Sequence, residues 1–318
     1  MALKDSLQSL LKEVYTFTKS DFHLLSYCYA LIFIFLCILL NYTTGFYSSV
    51  MRESYFSGDS MWMFPLFYSL MYFAMAIPVM FFQKEYKLLQ NSRFYIKSLF
   101  FIILYGMSIG YFGYGDWEFP SLFLEEKLFI FRIISQLKGS FIFIIPLFFL
   151  KISIDKKVVG LYGLSRNTKH IPAYSIFFLM LLPFLIAMSF TSDFQLAYPQ
   201  FHPWKYESAF GSSTWLYTML YEITYGIDFI KTELLFRGML VIGMITIMGK
   251  KSVLPMVAMY AAIHFGKPLG ETISSVFGGY ILGALAFQTR HIWGGVIVHI
   301  CIALSMEIMG FVQYYILK

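Results

Sequence analysis

The ionisable side chains that fall in or beside apolar runs are concentrated after residue 213: Glu222, Asp228, Lys231, Glu233, Arg237, His264, Glu271, His299 and Glu307. Such groups are costly in hydrocarbon and normally face a bundle interior or a wet cavity, so any chemistry belongs to the C-terminal third. Glu233 and Arg237, in Thr232-Glu233-Leu234-Leu235-Phe236-Arg237-Gly238, stand i, i+4 on one helix face and can pair. A carboxylate held by arginine inside a bilayer stays ionised and oriented. The pair alone fits acid–base work and helix packing equally well. Glu222 lies nearly three turns before Glu233, about 16 Å away along a continuous helix, too far to act with it directly.

The histidines come from other runs. His264 ends a short run and leads into a Gly/Pro turn in Tyr260-Ala-Ala-Ile-His264-Phe-Gly-Lys267-Pro268. An imidazole there can titrate near neutrality and act as a general base. His299 sits in mid-run after Gly294-Gly295. Gly279 and Gly283 form a G-x-x-x-G close-packing face between the two histidines. Two histidines and a glutamate on separate helices are also a His₂Glu zinc set. H-E-x-x-H is absent, however, and no further His or Cys is placed to close a site, so zinc is the minor reading and no cofactor is expected. Cys28, Cys37 and Cys301 lie inside apolar runs, a pattern that supports neither disulfides nor a cysteine metal site.

The elements that position these residues are membrane spans. Of 318 residues, 58% are hydrophobic and 13% charged, about half the charge of a soluble domain, and mean hydropathy is +0.67. One soluble core cannot hide so much apolar surface. The composition predicts an all-α, polytopic helical membrane protein. Apolar runs fall at about 24–41, 61–82, 98–113, 139–150, 172–190, 213–248, 253–265, 272–288 and 292–315, which gives eight or nine spans. The run at 139–150 is expected to begin earlier, near Phe129. The run at 213–248 is too long for one upright span and is expected either to break at Gly226 or to tilt and project.

Residues 1–22 lack the continuous apolar region of a cleavable signal peptide. They read as an amphipathic interfacial helix, with Leu3, Leu7, Leu10, Leu11 and Val14 at helical spacing among Lys4, Lys12 and Lys19. Residues 23–190 read as N-terminal transmembrane spans and 213–318 as the catalytic-like core. With a cytoplasmic N-terminus and alternating runs, 15 of the 24 Lys and Arg fall in inside segments and five in outside ones, as the positive-inside rule requires. The net charge of +6 therefore points to topology and lipid headgroups rather than nucleic acid. The expected setting is a plasma or inner membrane. The expected partners on this ground are membrane lipids.

Glu-Leu-Leu-Phe-Arg-Gly, an aromatic-x-x-x-His and an intramembrane histidine in the last run resemble the CAAX-protease and bacteriocin-processing family. These intramembrane proteases include type II CAAX prenyl endopeptidases and Abi proteins. The resemblance covers about residues 213–310; the first 190 share only their hydrophobicity. The family pattern is Glu-Glu-x-x-x-Arg, Phe-x-x-x-His and His-x-x-x-Asn or Asp. Its first Glu and first His activate water, and its last His and Asn steady the oxyanion. The resemblance implies an intramembrane endopeptidase that takes a peptide or protein substrate at the membrane as its partner, with Glu233, His264 and His299 as catalytic residues. Arg237 would orient Glu233, and Tyr260 stands where the family has Phe, a mild change. Two positions depart: Thr232 replaces the first Glu, and Ala303 replaces the Asn or Asp. Either Glu233 takes the base role, which needs a turned helix, or the protein is a non-catalytic scaffold or immunity-type member with a degenerate site. Glu307, two turns beyond His299, is a candidate replacement acid. Transport would call for inverted repeats and paired broken helices, and neither is evident.

Overall fold

The computed structural model describes residues 3–165 and 171–316, together with the side chains of these residues except Leu3, Lys4 and Ser6. The loop cations Arg166 and Lys169, and Lys318, lie outside the described residues. The described chain is helical without named strands: α1 (Leu3–Asp21), α2 (Leu24–Thr44), α3 (Ser60–Phe82), α4 (Ser92–Gly110), α5 (Leu124–Ser153), α6 (Ile171–Ser189), α7 (Thr214–Glu233), α8 (Val253–Ala262), α9 (Leu269–Thr289) and α10 (Trp293–Tyr315). Among the described residues eight helical stretches are long and apolar enough to cross a membrane, one of them the 56-residue Glu207–Ala262. The chain is an integral membrane protein. Leu31, Ile32, Phe35, Leu39 and Leu40 of α2 are exposed, as a lipid-facing stripe requires.

Local chemistry accounts for the ends of several helices. His23 caps α2 through Nδ1, which accepts from Ser26 N–H, and Gly45 closes it in the left-handed region at φ 65°. Glu126 accepts from Phe123 N–H at the start of α5, which extends this helix upstream of the expected Phe129. Proline-containing α3 packs closely on α4 because Gly106 leaves room for Pro65.

Two sets of contacts define the ends of the bundle. At one end Lys97 pairs with Asp155 at 2.7 Å and donates to the Gly243 carbonyl. Lys251 pairs there with Glu85 at 3.0 Å, and Trp293 donates to Ser165. At the other end Asn41 donates to the Phe265 carbonyl, and Tyr198 donates to Glu271. The segment 207–262 therefore runs from the second end to the first and turns back. The expected break at Gly226 does not occur, since Gly226 lies inside continuous α7. The helix changes instead after Glu233, into a π-helical turn at Leu234–Met239 and 3₁₀ turns around a short helix. Returning α8 has ten residues, all buried, and is about 15 Å long. It is a half-helix held inside the protein rather than against lipid.

α1 docks on the bundle. Leu10 and Phe17 are fully buried, Thr18 bonds Tyr280, and Tyr27 bonds both Tyr280 and Asp21. Burial pushes the Asp21 carboxyl above its ordinary range, partly offset by the Tyr27 hydrogen bond.

Candidate active site

Four elements meet at the candidate site: the end of α7, the π turn after it, α8 and α10. Glu233 is fully buried, and its Oε1 accepts from Arg237 at 2.8 Å. The same oxygen lies 2.6 Å from His299 Nδ1. The wider π turn carries Arg237 under Tyr260, with the guanidinium carbon 4.2 Å from the ring centroid. π-helical turns of this kind are frequent at functional sites.

The start of α10 presents Gly294 and Gly295 for a steric reason. Any Cβ at Gly295 would overlap Glu233 Oε2, and one at Gly294 would strike the Tyr174 ring. The glycine pair thus admits the carboxylate against the helix backbone. Oε2 is buried and makes no hydrogen bond among the described residues. His299 follows about one turn later, with the half-buried Phe229 ring stacked on it at 5.4 Å.

α8 is placed by the small-residue face of α9. Gly279 receives the Tyr260 ring, and Gly283 receives Met256 and Val253. The Tyr260 hydroxyl hydrogen-bonds His299 Nε2. Its ring lies between the two imidazoles, 4.8 Å from His264 and 5.8 Å from His299 by centroid. His264 Nδ1 bonds the Tyr260 carbonyl at 2.7 Å. A carbonyl only accepts, so Nδ1 carries the hydrogen and the Nε2 lone pair of neutral His264 is left for another partner. The turn after His264 is tied down by Thr272 on the His264 carbonyl and by Tyr42 on that of Lys267.

The other candidates lie elsewhere. Thr232 bonds the Asp228 carbonyl at 3.3 Å and stands beside the Tyr105 hydroxyl of α4, so it faces away from His299. Glu307 is buried, with both oxygens taking the Gln200 N–H at 2.9 Å. It is about 12 Å along α10 from His299 and secures the loop before α7. The Glu222 carboxyl lies against Glu307. Ala303 is buried and supplies no donor. Among the described residues no three His, Cys, Asp or Glu side chains are grouped to hold a metal ion.

Residues 214–305 match the family model of the Type II CAAX prenyl endopeptidase Rce1-like proteins. The match agrees with the resemblance carried by the motifs. The Rce1-like segment includes Glu233, Arg237, Tyr260, His264, His299 and Ala303 and stops short of Glu307. Searches of curated proteins and of solved structures gave no match.

Sequence reasoning missed the hydrogen bond that makes Tyr260 more than an aromatic filler, the stack of Phe229 and the carboxylate seat at Gly295. The Gly294-Gly295 doublet one turn before an intramembrane histidine was the available signal for the last of these.

Proposed function

We propose that the chain is an intramembrane endopeptidase that hydrolyses a peptide bond in a membrane-associated or lipidated substrate. The observation that carries the reading is the meeting of Glu233, His299, Tyr260 and His264, from separate elements of the Rce1-like segment, around one tyrosine ring. Arg237 pairs with Glu233 and holds its carboxylate in place. The Glu233 charge beside His299 Nδ1 makes the other ring nitrogen more basic, as the carboxylate of a hydrolytic triad does. His264 holds and orients the attacking water through Nε2. His299 Nε2 is bonded to Tyr260 and Nδ1 lies against the Glu233 carboxylate, which favours a proton-holding role over the oxyanion role implied by the resemblance. The surrounding partners are membrane lipids, and the N-terminus is cytoplasmic in a plasma or inner membrane.

The test is purified full-length protein in liposomes, given a panel of farnesylated and single-span peptides in H₂¹⁸O. Mass spectrometry of the products should find one ¹⁸O in the new C-terminus, and His264→Ala should lose the cleavage. No cleavage of any peptide would overturn the reading.

A second reading, a non-catalytic scaffold that binds or assembles with a peptide, is favoured by the position of Thr232 against Tyr105 and by Ala303. Thr232→Glu separates the two. With Glu233 already working, it adds like charge near Asp228 and brings no gain. Cleavage that appears only in Thr232→Glu would favour the scaffold.

A further inference from the structure

We propose that the Tyr260 hydroxyl is a catalytic group: it carries protons between the scissile peptide and the Glu233–His299 pair. The proposal rests on the hydrolytic reading above and adds to it the group that meets the substrate.

Both ring nitrogens of His299 face protein groups. Its Nδ1 lies 2.6 Å from a carboxylate oxygen, as an ion-pair contact outside hydrogen-bond alignment; a bare lone pair facing that charge would be repelled, so Nδ1 carries the hydrogen. The lone pair of the neutral ring is then on Nε2, and Nε2 faces the Tyr260 hydroxyl. The chain reads carboxylate, imidazole, hydroxyl, the order of an acid–base triad, with a phenol at the reacting end. A proton that His299 takes up or gives back passes through Tyr260.

The surroundings suit that role. Tyr260 is almost completely buried on fully buried α8. Its ring is fixed by Gly279 behind it and by Phe236 at 4.9 Å. The Arg237 guanidinium lies against its face, 4.2 Å from the ring centroid, and holds the ring from that side. His264, with Nε2 available for water, lies edge-on to the same ring.

The steps balance. Water hydrogen-bonded to His264 Nε2 gives its other proton to Tyr260 Oη as the phenol proton moves to His299 Nε2. The water oxygen bonds to the carbonyl carbon, and the carbonyl π pair moves to oxygen. The tetrahedral oxyanion then collapses and the C–N pair leaves with nitrogen. That nitrogen takes the proton from Tyr260 Oη while His299 returns its own to the same oxygen. One water is consumed, an acid and an amine are formed, and Tyr260, His299 and Glu233 end as they began.

Tyr260→Phe keeps the ring and removes only the hydroxyl. The test uses full-length protein in liposomes and two substrates with the same acyl peptide, one an amide and one a p-nitrophenyl ester, whose leaving group needs no protonation. The peptide is drawn from the panel above. Tyr260→Phe should lower kcat on the amide at least about 100-fold with KM little changed, and the loss on the ester should be at least about 10-fold smaller. Equal losses on both substrates, or amide cleavage within a few-fold of wild type, would overturn the assignment. Should Tyr260→Phe fold poorly, 3,5-difluorotyrosine at 260 acidifies the phenol at nearly constant size. It should move the amide pH–rate profile to lower pH, and an unmoved profile counts against Tyr260. Wild-type protein that cleaves neither substrate defeats the hydrolytic reading and this proposal together. Wild-type cleavage with Glu233→Gln inactive and Tyr260→Phe active defeats this proposal alone.

Discussion

Two ion pairs stand about one turn apart on the same stretch of chain and are built to different ends. Asp228 and Lys231 pair at 2.5 Å, with the aspartate side chain 28% exposed and the lysine 2%. The ammonium fits against Gly139 of α5, where a Cβ would overlap it. That pair closes on itself and locks α7 to α5. Glu233 and Arg237 are 0% and 1% exposed, and their contacts continue through His299 to Tyr260, whose carbonyl holds His264. Burial does not separate a structural ion pair from a working one, since each contains a deeply buried charge. What separates them is whether the chain of polar contacts ends within the pair or leads on to a nitrogen with a free lone pair.

Breaking the second pair should have the largest effect on the fold. Glu233→Ala strands the buried Arg237 charge and should cost about 3–5 kcal/mol, read as a loss of stability by denaturation in bicelles. Gly295→Ala comes next. Its methyl occupies the seat of Glu233 Oε2, and overpacking of this kind costs about 1–3 kcal/mol, with turnover lost as His299 is displaced. Lys231→Met should cost less, about 1–2 kcal/mol, because its thioether stem still fills the space beside Gly139 and the half-exposed Asp228 keeps water. Turnover should stay within a few-fold of wild type; a large loss would put Lys231 in the working set and blur the comparison.

The smallest effect concerns orientation alone. Single cysteines at 84–97 and 151–165 should escape an impermeant reagent applied from outside, with no change in stability. Efficient labelling of intact cells at either loop would reverse the assigned sides. The bundle itself collects these loops with Lys251 and Trp293 at one end, as alternation of the runs required.

The spans were legible because hydropathy records contact with lipid. α6 is the more apolar of the two and little of it is buried, whereas 207–262 is less apolar and mostly buried. The less apolar segment is the interior one, and its ionisable residues marked the site. The Glu233–Arg237 pair was legible for the same reason that helices are: it needs only i, i+4 spacing. The turn after Glu233 was not, because Leu234–Met239 reads equally well as α-helix and only packing against the other elements makes it a π turn. Gly226, the residue that looked like a break, stays helical, and a Cβ added there would meet Ile300 only at the distance of ordinary contact. The Tyr260–His299 bond joins residues 39 apart in sequence. No local spacing announces such a bond, and the hydroxyl passed as a mild change from phenylalanine.

The most direct measurement is the turnover of Glu233→Gln beside wild type, on the same peptide in liposomes, with matched thermal stability as the check on folding. Glutamine keeps the shape of the side chain and removes the charge that makes His299 basic. Turnover should fall at least about 100-fold while the protein remains folded. A folded Glu233→Gln protein that cleaves as fast as wild type would contradict the role given to the buried carboxylate.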